Sequence, residues 1–190
     1  LGNRSIIGDA RSLKTKERIN SVVKGRPNFQ PFCPSILEED REKLFEQSYK
    51  NKHMTCAFKM KKEFAKILPS AVHIDDTARP QFVEENDNEN YYKVLKEIKK
   101  ITGYGVVVNT SFNKHGRKMV MKPEDALSDF LDSKLDFVCF QGIFVFKKDK
   151  RRLDPNMIVA SVKAFWLASD SPSSPSSPRP IIVNHTVLDI

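Results

Sequence analysis

The sequence predicts an α/β domain built on a mixed sheet, and three observations carry that prediction. Short alternating or β-branched runs are interleaved with stretches whose apolar residues recur at helical spacing. The run Val106-Val107-Val108, set directly behind a helical stripe and two glycines, has the composition of a central, doubly covered strand. Two four-residue apolar runs, 137–140 and 143–146, are separated only by Gln141-Gly142 and read as a hairpin, so at least one strand pair is antiparallel.

Taken in order, residues 1–26 are basic and polar and end in Lys24-Gly25-Arg26-Pro27. Pro27, Pro31 and Pro34 forbid a regular helix over 27–37, and Phe29, Phe32 and Ile36 suggest an extended segment laid against a core. Residues 38–48 are charged around Leu44 and Phe45, which predicts a weak helix or an excursion. Short strands are expected at 54–58 and 71–75, the second ending in the polar loop Asp75-Asp76-Thr77. Tyr91, Val94, Leu95, Ile98 and Ile101 form a helical stripe, with Asn88 or Asn90 to cap it and Gly103 and Gly105 to end it. Pro123 opens a further helix, where Glu124 and Asp125 suit the dipole and Ala126, Leu127, Phe130 and Leu131 form the buried face. Residues 1–168 are read as one domain. In 169–180, ten of twelve residues are Ser or Pro, too polar a stretch to bury a core, so 169–190 is expected to be a disordered tail preceded by Trp166.

The formal charge of +8, from 32 basic and 24 acidic residues, favours an anionic partner. Phosphorylated small molecules and nucleic acid both satisfy it, and a lysine-rich solvated surface accounts for much of it. No apolar run approaches the roughly 20 residues of a membrane span. Three cysteines in no C-x-x-C spacing argue against a disulfide framework or a zinc site and fit a reducing cytoplasm, with Cys139 expected as a small buried hydrophobe. The histidines show no metal-ligand spacing, so no metal site is expected. Leu1-Gly2-Asn3-Arg4 has neither an initiator methionine nor an apolar signal core, and the chain is expected to begin inside a longer protein. The sequons at Asn3, Asn109 and Asn184 therefore carry no weight.

Four polar segments are candidates for chemistry. The first is Gly2-Asn3-Arg4-Ser5-Ile6. In the second, Lys24 and Arg26 stand two apart, so an extended chain would present both cations on one face toward a phosphate; by spacing alone a surface pair explains them better. The third, from His73 to Arg79, mixes acids with one arginine, which could simply pair with Asp75 or Asp76. The fourth runs out of the predicted central strand: Asn109, Ser111 and Asn113 alternate and could face the crevice beside the sheet, or merely cap the strand. There is no P-loop and no G-x-G-x-x-G, and no Ser-His-Asp or Cys-His arrangement announces itself.

Together and in order, these segments resemble the C-terminal region of the NodU/CmcH carbamoyltransferases. A-L-G-N-R-S-I-L-A-D-P-R is matched at 1–11 and K-x-R-x-x-F-R-P-F-A-P-S at 24–35. H-x-D-G-T-A-R-x-Q is matched at 73–81 and L-N-T-S-F-N-x-x-G-x-P-I-V-x-x-P-E-D-A at 108–126. The resemblance covers about 1–148. Departures are Asp76 for a glycine, Lys118-Met119 for a Glu-Pro pair, Gly8 for an alanine and Ala10 for a proline.

The resemblance implies a YrdC-like twisted mixed sheet with flanking helices. It implies a domain that binds carbamoyl phosphate and ATP, with Mg²⁺, to form carbamoyl-adenylate. An N-terminal actin-like domain, carrying the metal of the transfer step, would then pass the carbamoyl group to a hydroxyl acceptor. Lys24, Arg26, Arg79 and Asn109 would be catalytic, and these with Ser111, Asn113 and Arg4 would hold the two ligands. The alternatives are a basic YrdC-like nucleotide- or RNA-binding module and an inactive fragment.

Overall fold

A computed structural model of the chain describes residues 2–140 and 143–147. The chain opens with β1 (Ser5–Asp9) and α1 (Leu13–Glu17), which runs on as a π-helix, Arg18–Lys24. There follow β2 (Cys33–Leu37), a 3₁₀ turn (Glu38–Asp40), α2 (Arg41–Leu44), β3 (Phe58–Lys59), α3 (Lys62–Ile67), β4 (Thr77–Ala78) and β5 (Gln81–Val83). The last elements are α4 (Glu89–Thr102), β6 (Val106–Ser111), α5 (Pro123–Asp132), β7 (Phe137–Phe140) and β8 (Ile143–Phe146).

The principal sheet has the order β1-β6-β2-β5, with β6 antiparallel to β1 and β2 and β5 parallel to β2. It is the expected mixed sheet, and the valine run lies in an interior strand. Val106 and Val108 pack with Ile6, Ile36 and Phe82 on one face; Val107 packs with Leu37, Val83, Tyr91 and Leu95 on the other, beneath α4. Burial on both faces explains why the run does not alternate with polar residues. Asn88 caps α4 by accepting from the Tyr91 amide at 3.1 Å, and Gly103 closes it at φ 82. The hairpin forms as expected, with Phe140 opposite Ile143; its turn residues Gln141 and Gly142 lie outside the described residues, as do 148–190 with Trp166 and the Ser/Pro-rich segment. Among the described residues no helix is long and apolar enough to cross a membrane.

Four local expectations fail. At 54–58 only Phe58 enters a strand. The Asn51 side chain instead receives Thr55 Oγ1 at 3.1 Å and Met54 takes φ 56, which turns the chain. Residues 71–75 form a loop because Asp75 Oδ1 accepts from both the amide and the hydroxyl of Thr77, at 3.0 and 2.7 Å, an Asx turn that outcompetes strand pairing. Leu131 is exposed, whereas Asp129 is buried and pairs with Arg117 at 3.0 Å. Cys139 is exposed because Val138 takes the inward position of β7 and alternation turns its neighbour out.

Candidate anion-binding site

The end of the basic N-terminal stretch delivers the first cation of the site. The π-helix ends at Lys24, and Gly25 at φ 69 reverses the chain as a left-handed cap. Lys24 and Arg26 are therefore not neighbours on one extended face, as the spacing suggested; a helix end and a turn deliver them separately. Lys24 is buried, and its Nζ donates to Ser111 O (2.6 Å), Asn113 O (2.9 Å) and Asn113 Oδ1 (2.7 Å), with Ser111 Oγ at 3.2 Å. Ser111 Oγ in turn donates to Asn113 Oδ1 at 2.6 Å, and Asn113 Nδ2 to Arg117 O at 2.6 Å. Residues 87 and 89 positions apart are thus joined through one ammonium group. Burial, and then the charge of Arg26, lowers the Lys24 pKa to about 8, against the pull of Asp129.

Arg26 is held by Asn20, a fully buried residue that sequence reasoning missed. Asn20 Oδ1 receives Arg26 Nε at 2.6 Å, while its amide donates to Asn28 O and Gln30 O at 3.2 and 2.9 Å and so fixes the following loop. The guanidinium lies over the Phe32 ring, 4.6 Å from its centroid. Its Nη2 is buried without a hydrogen-bond partner among the described residues. Cys33 links this group to the third segment, because Arg79 donates to Cys33 Sγ from Nε (3.1 Å) and Nη2 (3.0 Å), and the same cysteine acts electrostatically on Arg26. Arg79 does not pair with Asp75 or Asp76, and among the described residues Lys24, Arg26 and Arg79 form no ion pair with a carboxylate.

Two candidates point elsewhere. Asn109 is buried, and its Nδ2 donates to Ser35 Oγ (2.8 Å), Gln81 Oε1 (3.1 Å) and the Tyr91 hydroxyl (3.5 Å). Burial raises the Tyr91 pKa to about 12 despite its bonds to Ser35 and Asn109. Arg4 donates to Val120 O at 3.2 Å and Met121 Sδ at 3.0 Å, and it borders a cavity of about 170 Å³ lined mainly by Phe112, Val120, Met121, Pro123 and Phe140.

Asp76, the acid found in place of the resembled glycine, sits at φ 58. Its half-exposed contact with Lys59, at 3.8 Å, contributes little. Glycine adopts this conformation freely, so Asp76→Gly is expected to leave stability unchanged or raise it by up to about 1 kcal/mol, whereas Asp76→Val should cost about 2 kcal/mol. Urea unfolding of the two variants checks this.

The fold and these contacts define an α/β domain that gathers cations and amides from three distant segments at the end of an interior strand. The chain belongs to the carbamoyltransferase C-terminus family, which matches residues 1–147. It is 64% identical over 148 residues to an uncharacterised protein of Methanocaldococcus jannaschii, covering 78% of this chain and 24% of that protein. It is 34% identical over 168 residues to nodulation protein NolO of Bradyrhizobium diazoefficiens, covering 87% and 31%, and 37% identical over 151 residues to nodulation protein NolNO of Sinorhizobium fredii, covering 78% and 22%. The chain thus spans between 22% and 31% of the length of these relatives.

Proposed function

We propose that this chain is the part of an ATP-dependent O-carbamoyltransferase that binds carbamoyl phosphate and ATP and joins them into carbamoyl-adenylate. The observation that carries the reading is the linkage of Lys24 to Ser111 and Asn113 beside Arg26 and Arg79, cations that among the described residues have no carboxylate partner. Two polyanions must be brought together in such a reaction, and their repulsion is the main obstacle to approach. Fixed cations lower it, and fixed geometry aligns the reacting groups.

The residues present fit phosphate groups. The Nη2 of Arg26 is a buried donor lacking an acceptor, which an anion oxygen would supply. The Arg79 fork is spent on a thiol, a weak acceptor that a phosphate would outcompete. Magnesium enters this reading as the companion of the ATP phosphates, where it neutralises charge. Transfer of the carbamoyl group to a hydroxyl belongs, in this proposal, to a separate actin-like domain with its own metal.

Pyrophosphate exchange into ATP tests the proposal. Exchange that depends on carbamoyl phosphate and disappears in Lys24→Met supports it. Absence of exchange, together with no binding of either ligand at millimolar concentration, overturns it.

A further inference from the structure

A cluster of lysine and arginine offers hydrogen-bond donors and no acceptor. Carbamoyl phosphate differs from acetyl phosphate in one group, an NH₂ that itself has to donate. Nearby acceptors are occupied: Asn113 Oδ1 already receives Lys24 Nζ and Ser111 Oγ, at 2.7 and 2.6 Å.

His73 provides an acceptor that is held ready. Its Nδ1 lies 2.9 Å from Thr77 Oγ1, and Thr77 Oγ1 lies 2.7 Å from Asp75 Oδ1. A carboxylate can only accept, so the threonine proton goes to Asp75 and the threonine oxygen turns a lone pair toward the ring. Nδ1 then carries the imidazole proton, and the neutral ring keeps its lone pair on Nε2. Nε2 has no hydrogen-bond partner among the described residues. Burial, and then the cations of Arg79 and Lys16, push the ring below the ordinary histidine range, against Asp75, which favours the charged form. Beyond these, Lys59 bonds the Asp75 carbonyl and stands near Asp76. The ring is therefore neutral near neutral pH and lies within the electrostatic reach of Arg79.

We infer that His73 Nε2 accepts a hydrogen bond from the carbamoyl NH₂ and is the residue by which this site selects a carbamoyl over an acetyl phosphate. The inference rests on the carbamoyl phosphate reading of the cluster.

Calorimetric affinities for carbamoyl phosphate, acetyl phosphate and inorganic phosphate test it. The unmodified chain is expected to prefer carbamoyl over acetyl phosphate by about tenfold, the effect of one well-placed hydrogen bond. In His73→Ala this preference should fall to near unity while acetyl phosphate and phosphate bind as before. His73→Gln, which keeps an acceptor, should retain part of it. Thr77→Val, which frees the tautomer, should weaken it. Acidification should erase it, because a protonated Nε2 donates rather than accepts. An unchanged preference in His73→Ala overturns the inference, as does equal weakening of all three ligands, which marks a structural role. If instead the unmodified chain binds none of the three, or Lys24→Met binds them all unchanged, the reading of the cluster itself fails.

Discussion

Lys24→Met is expected to lower affinity for carbamoyl phosphate and ATP by at least about a hundredfold, the scale seen when one member of a buried charged pair is truncated. The same change should destabilise the fold by about 2 kcal/mol, because Ser111 O, Asn113 O and Asn113 Oδ1 lose a shared donor within the protein. Methionine matches the length of the aliphatic stem and leaves no large void, so the loss reports the ammonium group. Lys24→Arg should not rescue either property, since a planar fork cannot reproduce a point donor to three oxygens held around one nitrogen. Binding calorimetry and urea unfolding of the two variants check both effects.

The pH dependence of this group separates binding from stability. Its folded pKa, about 8, lies below the ordinary lysine value of 10.5. Between these values the unfolded chain still holds a proton that the folded chain has released, so this group makes the fold more stable as pH rises, and that contribution is lost as pH falls through about 8. The anion binding proposed for this group needs the charged form and is expected to run the other way, weakening as pH rises through the same region. In Lys24→Met both trends should vanish.

What was legible in the sequence was whatever depends on local periodicity. The stripe from Tyr91, the valine run and the paired runs at 137–146 each became the predicted element. The strand expected at 71–75 failed because the Asp75 side chain competes with the backbone, and alternation alone does not register that competition. In the second and fourth segments Lys24, Ser111 and Asn113 do meet, but not through the geometry that their spacing suggested. Extended spacing suggested that Lys24 and Arg26 share a face; their nearness comes instead from a helix end, a left-handed glycine and the buried Asn20. Asn20 left no sequence signal, since a single amide beside a serine looks like surface, and its value lies in three contacts with a loop six to ten residues on. Cys33 was likewise invisible: its meeting with Arg79 spans 46 positions.

Asn109→Ala is expected to act on the fold first, costing about 2–3 kcal/mol. Strand β6 carries Asn109 between Ile7 and Cys33, and its amide is spent on Ser35, Gln81 and Tyr91, which tie β2, β5 and α4 to one point of the sheet. A charge at this position gives a sharper test than deletion. In Asn109→Asp, the new carboxylate would face Gln81 Oε1, an acceptor, in a site that excludes water. Its folded pKa should therefore rise above the unfolded value, so that stability is present at low pH and lost as pH rises through the folded pKa. Relative to the unmodified chain at each pH, the Asp variant should be markedly less stable near neutrality than in acid, with the Ala variant equally affected in both. Urea unfolding at two pH values reads this directly. If Asn109→Ala instead unfolds like the unmodified chain and loses carbamoyl phosphate affinity, Asn109 contacts the ligand, and the network seen here must open to let it do so.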